Sequence, residues 1–417
     1  MIETALVSCD DHLDLNMLPR DVWTERMAAR WAERAPRVVE QEEGPALWMA
    51  DGESWGSWSG KASLRAGPKP IHTAYDRGGI EDLTELRAGN PRLRLEDMDR
   101  DRVWAHVIYG PVTSIKTDDE AFMKACYAAY NDWLFEEFCT AAPERLIGVA
   151  MLPPYPEAAH EELRRLAETY GAGSGGCRQA NLQIAVAEPR LEDKRWEPLF
   201  ALLEETGIVL SFHVTVFPRA GDAFDKYRGS PGATFLHAKM FIDQFLDPFV
   251  DLFAWGILER HPKLKIVIAE SGVGWVPWVV EELDYRHWRL WECKEFWDDK
   301  GGIPHKMKPS EVFQRQVYGT FQQSPTAMRL TEFWGPENLL WASDYPHPDS
   351  IWPHSVKTIG ETMGHMKPAM VRKIVGGNAA KLYGLDLSQA TVTAQLPLQG
   401  EQQGAGATSW VSPVEVA

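Results

Sequence analysis

The sequence predicts an α/β fold in which eight parallel strands close into a (β/α)8 TIM barrel, with a long insertion after the first strand. Three observations predict it: eight short apolar runs recur along the chain, amphipathic stretches of helical length separate most of them, and acidic or imidazole side chains follow several of them. The runs are nearly continuously apolar, which is typical of strands covered on both faces. An open doubly wound sheet would look the same locally, so the count and the polar residues favour closure.

The predicted strands are residues 5–9, 103–109, 146–151, 180–184, 208–212, 266–269, 316–319 and 339–343. Predicted helices between them include residues 157–170, 198–206, 248–260 and 326–334. About ninety residues separate the first two strands, too many for a simple connection, so an insertion is expected at about 20–95. A last helix near 370–382 completes a barrel domain of residues 1–387. A Gln-, Gly- and Ser-rich tail, 388–417, is expected to be disordered or to form an interface.

The composition limits the classes of function. The chain has 417 residues, of which 44% are hydrophobic and 25% charged, so a single large core is possible. A net charge of -17 without basic clusters argues against nucleic-acid binding. Five scattered cysteines without a CxxC pair suggest neither a disulfide framework nor a thiolate zinc site. Neither a signal-peptide pattern nor an 18-residue apolar run occurs, so we expect a cytoplasmic protein with no membrane partner.

Residues that can bind metals or transfer protons collect just after the predicted strands. They are Asp10 and His12 after the first strand, His213 after the fifth, Glu270 after the sixth, and Asp344 with His347 after the eighth. The carboxyl ends of the strands meet on one face of a barrel, where such enzymes place their sites. Asp10 and His12 are two residues apart on an extended segment and therefore point to the same side, while Asp11 points away.

Two imidazoles and two carboxylates form a mixed N/O set suited to one divalent metal, with Zn or Mn expected. We predict Asp10, His12, His213 and Asp344 as its ligands, leaving a position for a water whose pKa the metal would lower. Taken singly, each of these residues is more often a capping or hydrogen-bonding group, and the joint pattern carries the prediction.

The roles of the other polar residues stay open. Glu270 is predicted to be catalytic as a general acid or base, or to be a further metal ligand, with hydrogen bonding to the Gly-rich turn after it as the structural alternative. His347 is a candidate for substrate binding or for support of Asp344, and otherwise a solvated turn residue. Tyr109 and Arg178 are candidates for holding a substrate oxygen, with a surface ion pair as the alternative for Arg178.

Several of these segments resemble one family. The segments Asp10-Asp11-His12, Phe212-His213, 269–275 and 341–348 are similar to those of the amidohydrolase-2 family, which includes aminocarboxymuconate semialdehyde decarboxylase and the resorcylate decarboxylases. The resemblance runs from about residue 5 to residue 385. It places Asp10 and His12 at the family's HxH pair, His213 at the strand-five ligand, and Asp344 at the strand-eight aspartate. Glu270 stands where decarboxylating members usually carry a catalytic His.

The pattern and the resemblance together imply a metal-dependent hydrolase of the amidohydrolase superfamily. It would act on a small cyclic or aromatic-derived molecule through a metal-activated water, with Asp344 or Glu270 as the catalytic residue that handles protons. The alternative is a non-oxidative metal-dependent decarboxylase of an aromatic or muconate-type acid, in which Glu270 would supply the proton. A barrel that only binds its ligand is the third possibility. Because the family commonly forms dimers, we expect a homodimer.

Overall fold

A parallel sheet of eight strands forms the centre of the chain. The structure, a computed structural model, describes residues 1–58, 86–111, 117–173, 175–215, 230, 232, 235–347 and 349–398. Within them the parallel strands are β2 (Val7–His12), β6 (Ala105–Tyr109), β7 (Leu146–Leu152), β8 (Gln179–Leu182), β9 (Val209–His213), β10 (Ile266–Ala269), β11 (Val317–Phe321) and β12 (Leu339–Trp341). They are hydrogen-bonded in chain order from β2 to β12.

The sheet closes on itself where the segment after β12 meets β2. The Asp344 N–H donates to the Asp10 carbonyl at 2.9 Å, and the His12 N–H donates to the Tyr345 carbonyl at 2.8 Å. Through these bonds the segment after β12 pairs with β2, so the sheet has no free edge there. The predicted (β/α)8 TIM barrel is confirmed. Strand β2 runs three residues further than predicted, to His12, which places the acidic motif in the strand itself.

Helices surround the barrel. They are α1 (Pro91–Arg100), α2 (Glu120–Trp133), α3 (Pro156–Tyr170), α4 (Glu197–Thr206), α5 (Leu236–Ala254), α6 (Ile257–Arg260), α7 (Val276–Glu292), α8 (Lys294–Asp298), α9 (Pro309–Gln316), α10 (Pro325–Trp334), α11 (Ser355–Met363), α12 (Pro368–Arg372) and α13 (Asn378–Tyr383). The helix predicted at 248–260 is the end of α5 followed by α6. The two are separate because Gly256 adopts a left-handed conformation, with φ 64°, between them.

The predicted insertion contains a small antiparallel sheet of β3 (Arg37–Val39), β4 (Ala46–Ala50) and β5 (Glu53–Trp58). Strand β4 alternates between buried and partly exposed residues, so one face is turned to the protein. On that face the Trp48 indole N–H donates to the Leu15 carbonyl at 2.6 Å, which ties the insertion to the segment just after β2. Residues 59–85 of the insertion lie outside the described part of the chain.

The two ends of the described chain pair with each other. Strand β1 (Ile2–Thr4) runs antiparallel to β13 (Ala394–Leu396), and the Ala394 and Leu396 side chains are buried. Residues 388–398 therefore pack onto the barrel domain, in contrast to the tail expected from residue 388, because this segment buries apolar side chains. The rest of that predicted tail, 399–417, lies outside the described residues. Across the described part of the chain, none of the helices has the length and apolarity needed to cross a membrane.

Candidate metal centre

The four predicted metal ligands meet at the carboxyl ends of β2, β9 and β12. Asp10 Oδ1 lies 3.2 Å from His213 Nε2 and 3.6 Å from His12 Nε2, and His12 Nε2 lies 3.3 Å from Asp344 Oδ1. All four side chains are buried. Asp10 and His12 lie on the same face of β2, as the alternation of side chains along a strand requires. His213 is the last residue of β9, and Asp344 follows β12.

These facing atoms are the ones a cation would bind. Among the described residues, Asp10 Oδ1, both Asp344 carboxylate oxygens, His12 Nε2 and His213 Nε2 make no hydrogen bond of normal geometry. Buried polar atoms are nearly always hydrogen-bonded, so lone pairs converging without partners need an explanation. His213 Nδ1 faces the Val214 carbonyl at 2.7 Å, which places a proton there and leaves Nε2 free to bind a metal. The donor set therefore fits a divalent metal with mixed N/O preference.

His347 extends this group. Asp10, His12 and His213 offer ligand atoms within 4.8 Å of one another, and so do His12, Asp344 and His347. His12 belongs to both sets, which places the two halves of the centre side by side. The five side chains can hold a metal through the four predicted ligands, with His347 beside Asp344.

The charges of the centre balance one another. Burial opposes ionisation of Asp10, but the imidazoles of His213 and His12 outweigh it and hold its pKa well below the usual range. Burial and His347 act to lower the pKa of His12, yet its contacts with Asp10 and Asp344 raise it to about 9. In the metal-free chain, imidazolium protons thus offset the carboxylates. A bound metal would take over this positive charge and release protons.

Glu270 lies beside these ligands, just after β10. Its Oε2 is 3.3 Å from His213 Nε2, so its carboxylate faces the centre. Burial, with the nearby Asp344 charge, raises its pKa to about 7 against the opposing effect of His213. Its side chain keeps 13% of its surface exposed, whereas the four predicted ligands keep at most 2%. The Glu270 carboxyl group is therefore more accessible to water than any of the four predicted ligands.

His347 bridges two carboxylates. Its Nδ1 lies 2.9 Å from Asp344 Oδ1, and its Nε2 lies 2.8 Å from Asp14 Oδ2. Burial opposes protonation, but Asp344 and Asp14 outweigh it and raise the pKa of His347 well above its usual value. The ring also stacks on that of His12, with centroids 3.7 Å apart. Both of the alternatives kept for His347, support of Asp344 and contact with a substrate, are compatible with this position.

Two residues of the centre were missed at the sequence level. Asp14 continues the alternation of Asp10 and His12 by one more step, and this spacing is the signal that could have identified it. Thr320 is the fourth residue of β11; its hydroxyl donates to Asp10 Oδ2 at 2.8 Å and accepts from the Glu270 N–H at 2.9 Å. A hydroxyl near a strand end is too common to be a signal alone.

A family comparison agrees with this geometry. Residues 108–385 match the family model described as amidohydrolase, which is more than half of the chain. The chain belongs to the amidohydrolase family. The resemblance to this family is thereby confirmed, and the matched residues contain three of the four segments that carried it, all but Asp10-Asp11-His12.

Known relatives of this amidohydrolase include decarboxylases. It is 29% identical over 230 residues to the gamma-resorcylate decarboxylase of Rhodococcus jostii (strain RHA1), a match covering 52% of this chain and 64% of the relative, which is less than two thirds of its length. A solved amidohydrolase from Mycobacterium avium subsp. paratuberculosis K-10 has a TM-score of 0.68 at 20% identity, covering 92% of this chain and 100% of that one. The 5-carboxyvanillate decarboxylase of Novosphingobium aromaticivorans, solved with bound manganese, has a TM-score of 0.61 at 16% identity, covering 92% and 97%. At these identities the two structures support the fold alone.

The two remaining predicted residues of this amidohydrolase direct their polar groups away from the predicted metal ligands. Tyr109 packs its ring 4.7 Å from that of His213, but its hydroxyl accepts from Gln179 Nε2 at 2.6 Å inside the barrel. Arg178 precedes β8 and pairs with Glu144 at 3.1 Å. Because it stands at the amino end of its strand, opposite the metal centre, the predicted substrate contact is corrected to the ion pair named as its alternative.

Proposed function

We propose that this amidohydrolase is a metal-dependent, non-oxidative decarboxylase of a hydroxylated aromatic acid. The observation that carries the proposal is the group of buried ligand atoms around Asp10, His12, His213 and Asp344, with the carboxyl group of Glu270 beside it. The gamma-resorcylate decarboxylase relative supports this reaction over the hydrolysis that the sequence first suggested. The N/O ligand set suits Mn or Zn, and manganese in the Novosphingobium structure supports Mn.

The metal ion, when bound, would act as a Lewis acid that holds the carboxylate and a neighbouring oxygen of the substrate. Asp10, His12, His213 and Asp344 would hold the ion. His347, paired with Asp14, places a positively charged ring next to Asp344. It would orient the anionic part of the substrate by a charge-assisted hydrogen bond once that substrate displaces one of its carboxylate contacts.

The protein's second task is to move a proton. In decarboxylation the bond between the ring and the carboxyl carbon breaks, CO2 leaves, and the ring carbon takes a proton. Glu270 would donate that proton and recover one from water. It is suited to this role because its side chain lies against His213 and remains partly exposed. Such proton transfer typically contributes about 10²–10⁴-fold to a rate.

Product analysis tests the proposal. The Mn- and Zn-loaded enzymes are incubated with gamma-resorcylate, other 2-hydroxybenzoates, and a set of aryl esters, lactones and amides. We expect CO2 and the matching phenol in equal amounts from one of the acids, only with metal present. Water uptake by an ester, lactone or amide, with no CO2 from any acid, would establish hydrolysis instead.

Glu270→Gln separates proton transfer from metal binding. We expect a loss of turnover of about 10²-fold or more with metal content unchanged, because Gln keeps the size of the side chain but has no acid proton. The matched control is Glu337→Gln, which removes an exposed carboxylate paired with Lys373 and should leave turnover unchanged. Full activity of Glu270→Gln would exclude Glu270 as the proton donor.

We also propose a homodimer. Helix α7 exposes 65% of Trp278 and 50% of Trp288, and such large aromatic side chains are enriched in protein interfaces. Sedimentation velocity of the wild type and of Trp288→Glu tests this assembly. A monomeric wild type would refute it.

A further inference from the structure

Asp11 lies on the opposite side of β2 from the metal ligands and is fully buried. Its Oδ1 accepts a hydrogen bond from the Ser343 hydroxyl at 2.6 Å and another from the Tyr345 N–H at 3.1 Å. Ser343 and Tyr345 are the residues immediately before and after Asp344. One carboxylate oxygen therefore holds both neighbours of a predicted metal ligand.

The backbone of Asp344 needs such support. It adopts φ 60°, in the left-handed region that residues with a side chain rarely occupy. A conformation of this kind persists only where the surroundings fix it. The Asp344 N–H is held by the Asp10 carbonyl at 2.9 Å, and Asp11 holds the residues on either side. The segment 10–11 thus restrains the turn from three directions.

We propose that Asp11 is a positioning residue for the metal centre: its carboxylate clamps Ser343 and Tyr345 so that Asp344 presents its oxygens to the metal. The inference rests on the metal-binding part of the proposed function and is independent of which reaction follows. Asp11 does not touch the metal or the substrate in this scheme, and it acts only through the backbone of Asp344.

Arg94 and His106 are basic side chains near Asp11. Arg94 is fully buried and donates from Nη1 to the His12 carbonyl at 2.8 Å; burial raises the pKa of Asp11 to about 7, and the positive charge of Arg94 acts against that rise. His106 Nδ1 lies 3.5 Å from Asp11 Oδ2. The two hydrogen bonds that Asp11 accepts do not involve the metal, so the side chain keeps its position behind the ligands without one.

Asp101 offers a matched control. It is also buried, and it accepts the same pair of donors, a backbone N–H at 2.9 Å and a hydroxyl at 2.5 Å, here both from Ser355. Those bonds hold the start of α11 and not a metal ligand. Removing either carboxylate should destabilise the fold, but only the loss of Asp11 should weaken metal binding.

The test is calorimetric titration of metal-stripped full-length protein with Mn2+, for the wild type, Asp11→Ala, Asp11→Asn and Asp101→Ala. Loss of a group that orients a ligand typically costs about 10–100-fold in metal affinity, and we expect this for Asp11→Ala. Asp11→Asn should keep most of the affinity, because the amide oxygen can still accept both bonds. Asp101→Ala should bind Mn2+ as the wild type does.

Wild-type affinity in Asp11→Ala, or equal weakening in Asp101→Ala, would overturn the proposal. If Asp11→Ala does not fold, Ser343→Ala decides, since it deletes one of the two clamp bonds: weaker Mn2+ binding supports the clamp and unchanged binding refutes it. A wild type that binds no Mn2+ would refute the clamp along with the metal centre. Mn2+ binding without CO2 release would contradict the proposed reaction alone and leave the affinity comparison valid.

Discussion

A Thr320 variant can test how the predicted metal ligand Asp10 and the proposed proton donor Glu270 are linked. The Thr320 hydroxyl donates to Asp10 Oδ2 and accepts from the Glu270 N–H, so a single side chain contacts both residues. Thr320→Val removes the hydroxyl and nearly preserves the shape of the side chain. Because Thr320 is fully buried, water cannot readily replace the lost bonds.

The expected loss of stability in Thr320→Val follows from the two hydrogen bonds that the Thr320 hydroxyl makes. A hydrogen bond to a charged acceptor contributes about 1.5–3 kcal/mol, and a buried N–H left unsatisfied costs about 1–3 kcal/mol. We therefore expect the free energy of unfolding of the metal-free protein to fall by about 2.5–6 kcal/mol. Release of Asp10 Oδ2 should also weaken metal binding by about tenfold or more, equivalent to about 1.4 kcal/mol or more.

Urea unfolding of the metal-free protein and titration with Mn2+ measure the two effects separately. Thr331→Val is the control, because Thr331 is equally buried but donates to the Met328 carbonyl within α10. It should lose stability without losing metal affinity, and Thr320→Ser should restore both. If Thr320→Val binds Mn2+ as the wild type does, Thr320 does not hold Asp10 in its ligand position.

Three further predictions follow from the structure. Mass spectrometry of the purified protein should find near-stoichiometric metal that is lost in His213→Ala and in Asp344→Ala; retention in both would contradict the ligand assignment. Arg178→Gln should reduce stability by about 1–3 kcal/mol and leave turnover unchanged, because Arg178 lies at the other end of the barrel; a raised KM would return it to the substrate site. Burial raises the pKa of Asp101 to about 7 despite its bonds from Ser355, so its contribution to stability is complete below about pH 4 and is lost as the pH rises through about 7. Unfolding measured between pH 4 and pH 8 should show a smaller decline in Asp101→Asn, and equal declines would refute the shift.

The barrel could be predicted from the sequence because its strands are buried on both faces and separated by helices. The end of the first strand was set too early, since Asp10-Asp11-His12 is polar and a polar run ordinarily ends a strand. Pairing of β1 with β13 could not be predicted: the residues lie almost 400 positions apart along the chain, as in the register of Ile2 with Leu396, and three-residue strands carry little pattern.

That the four predicted ligands lie together could be predicted, because parallel strands bring their carboxyl ends together whatever the loops do. Outside the Asp10-Asp11-His12 motif, the sequence could not supply the direction of a side chain relative to the barrel. Arg178 and Tyr109 both lie close to strand ends in the sequence, yet one belongs to the amino end and the other turns its hydroxyl into the interior. Thr320 became identifiable only through two distances that join it to Asp10 and to Glu270.

Neighbouring residues of one short segment of β2 have different roles, because successive side chains of a strand point to opposite faces. Asp10 and His12 face the metal centre, while Asp11 faces the turn that presents Asp344. A shift of the strand by one residue would exchange these faces, placing Asp11 among the ligands and removing both His12 and Asp10. The hydrogen bonds that Asp11 accepts from Ser343 and Tyr345 therefore fix the register of β2 at the same place where they hold Asp344. The contacts that close the barrel between β2 and the segment after β12 are thus the ones that bring Asp344 beside Asp10 and His12.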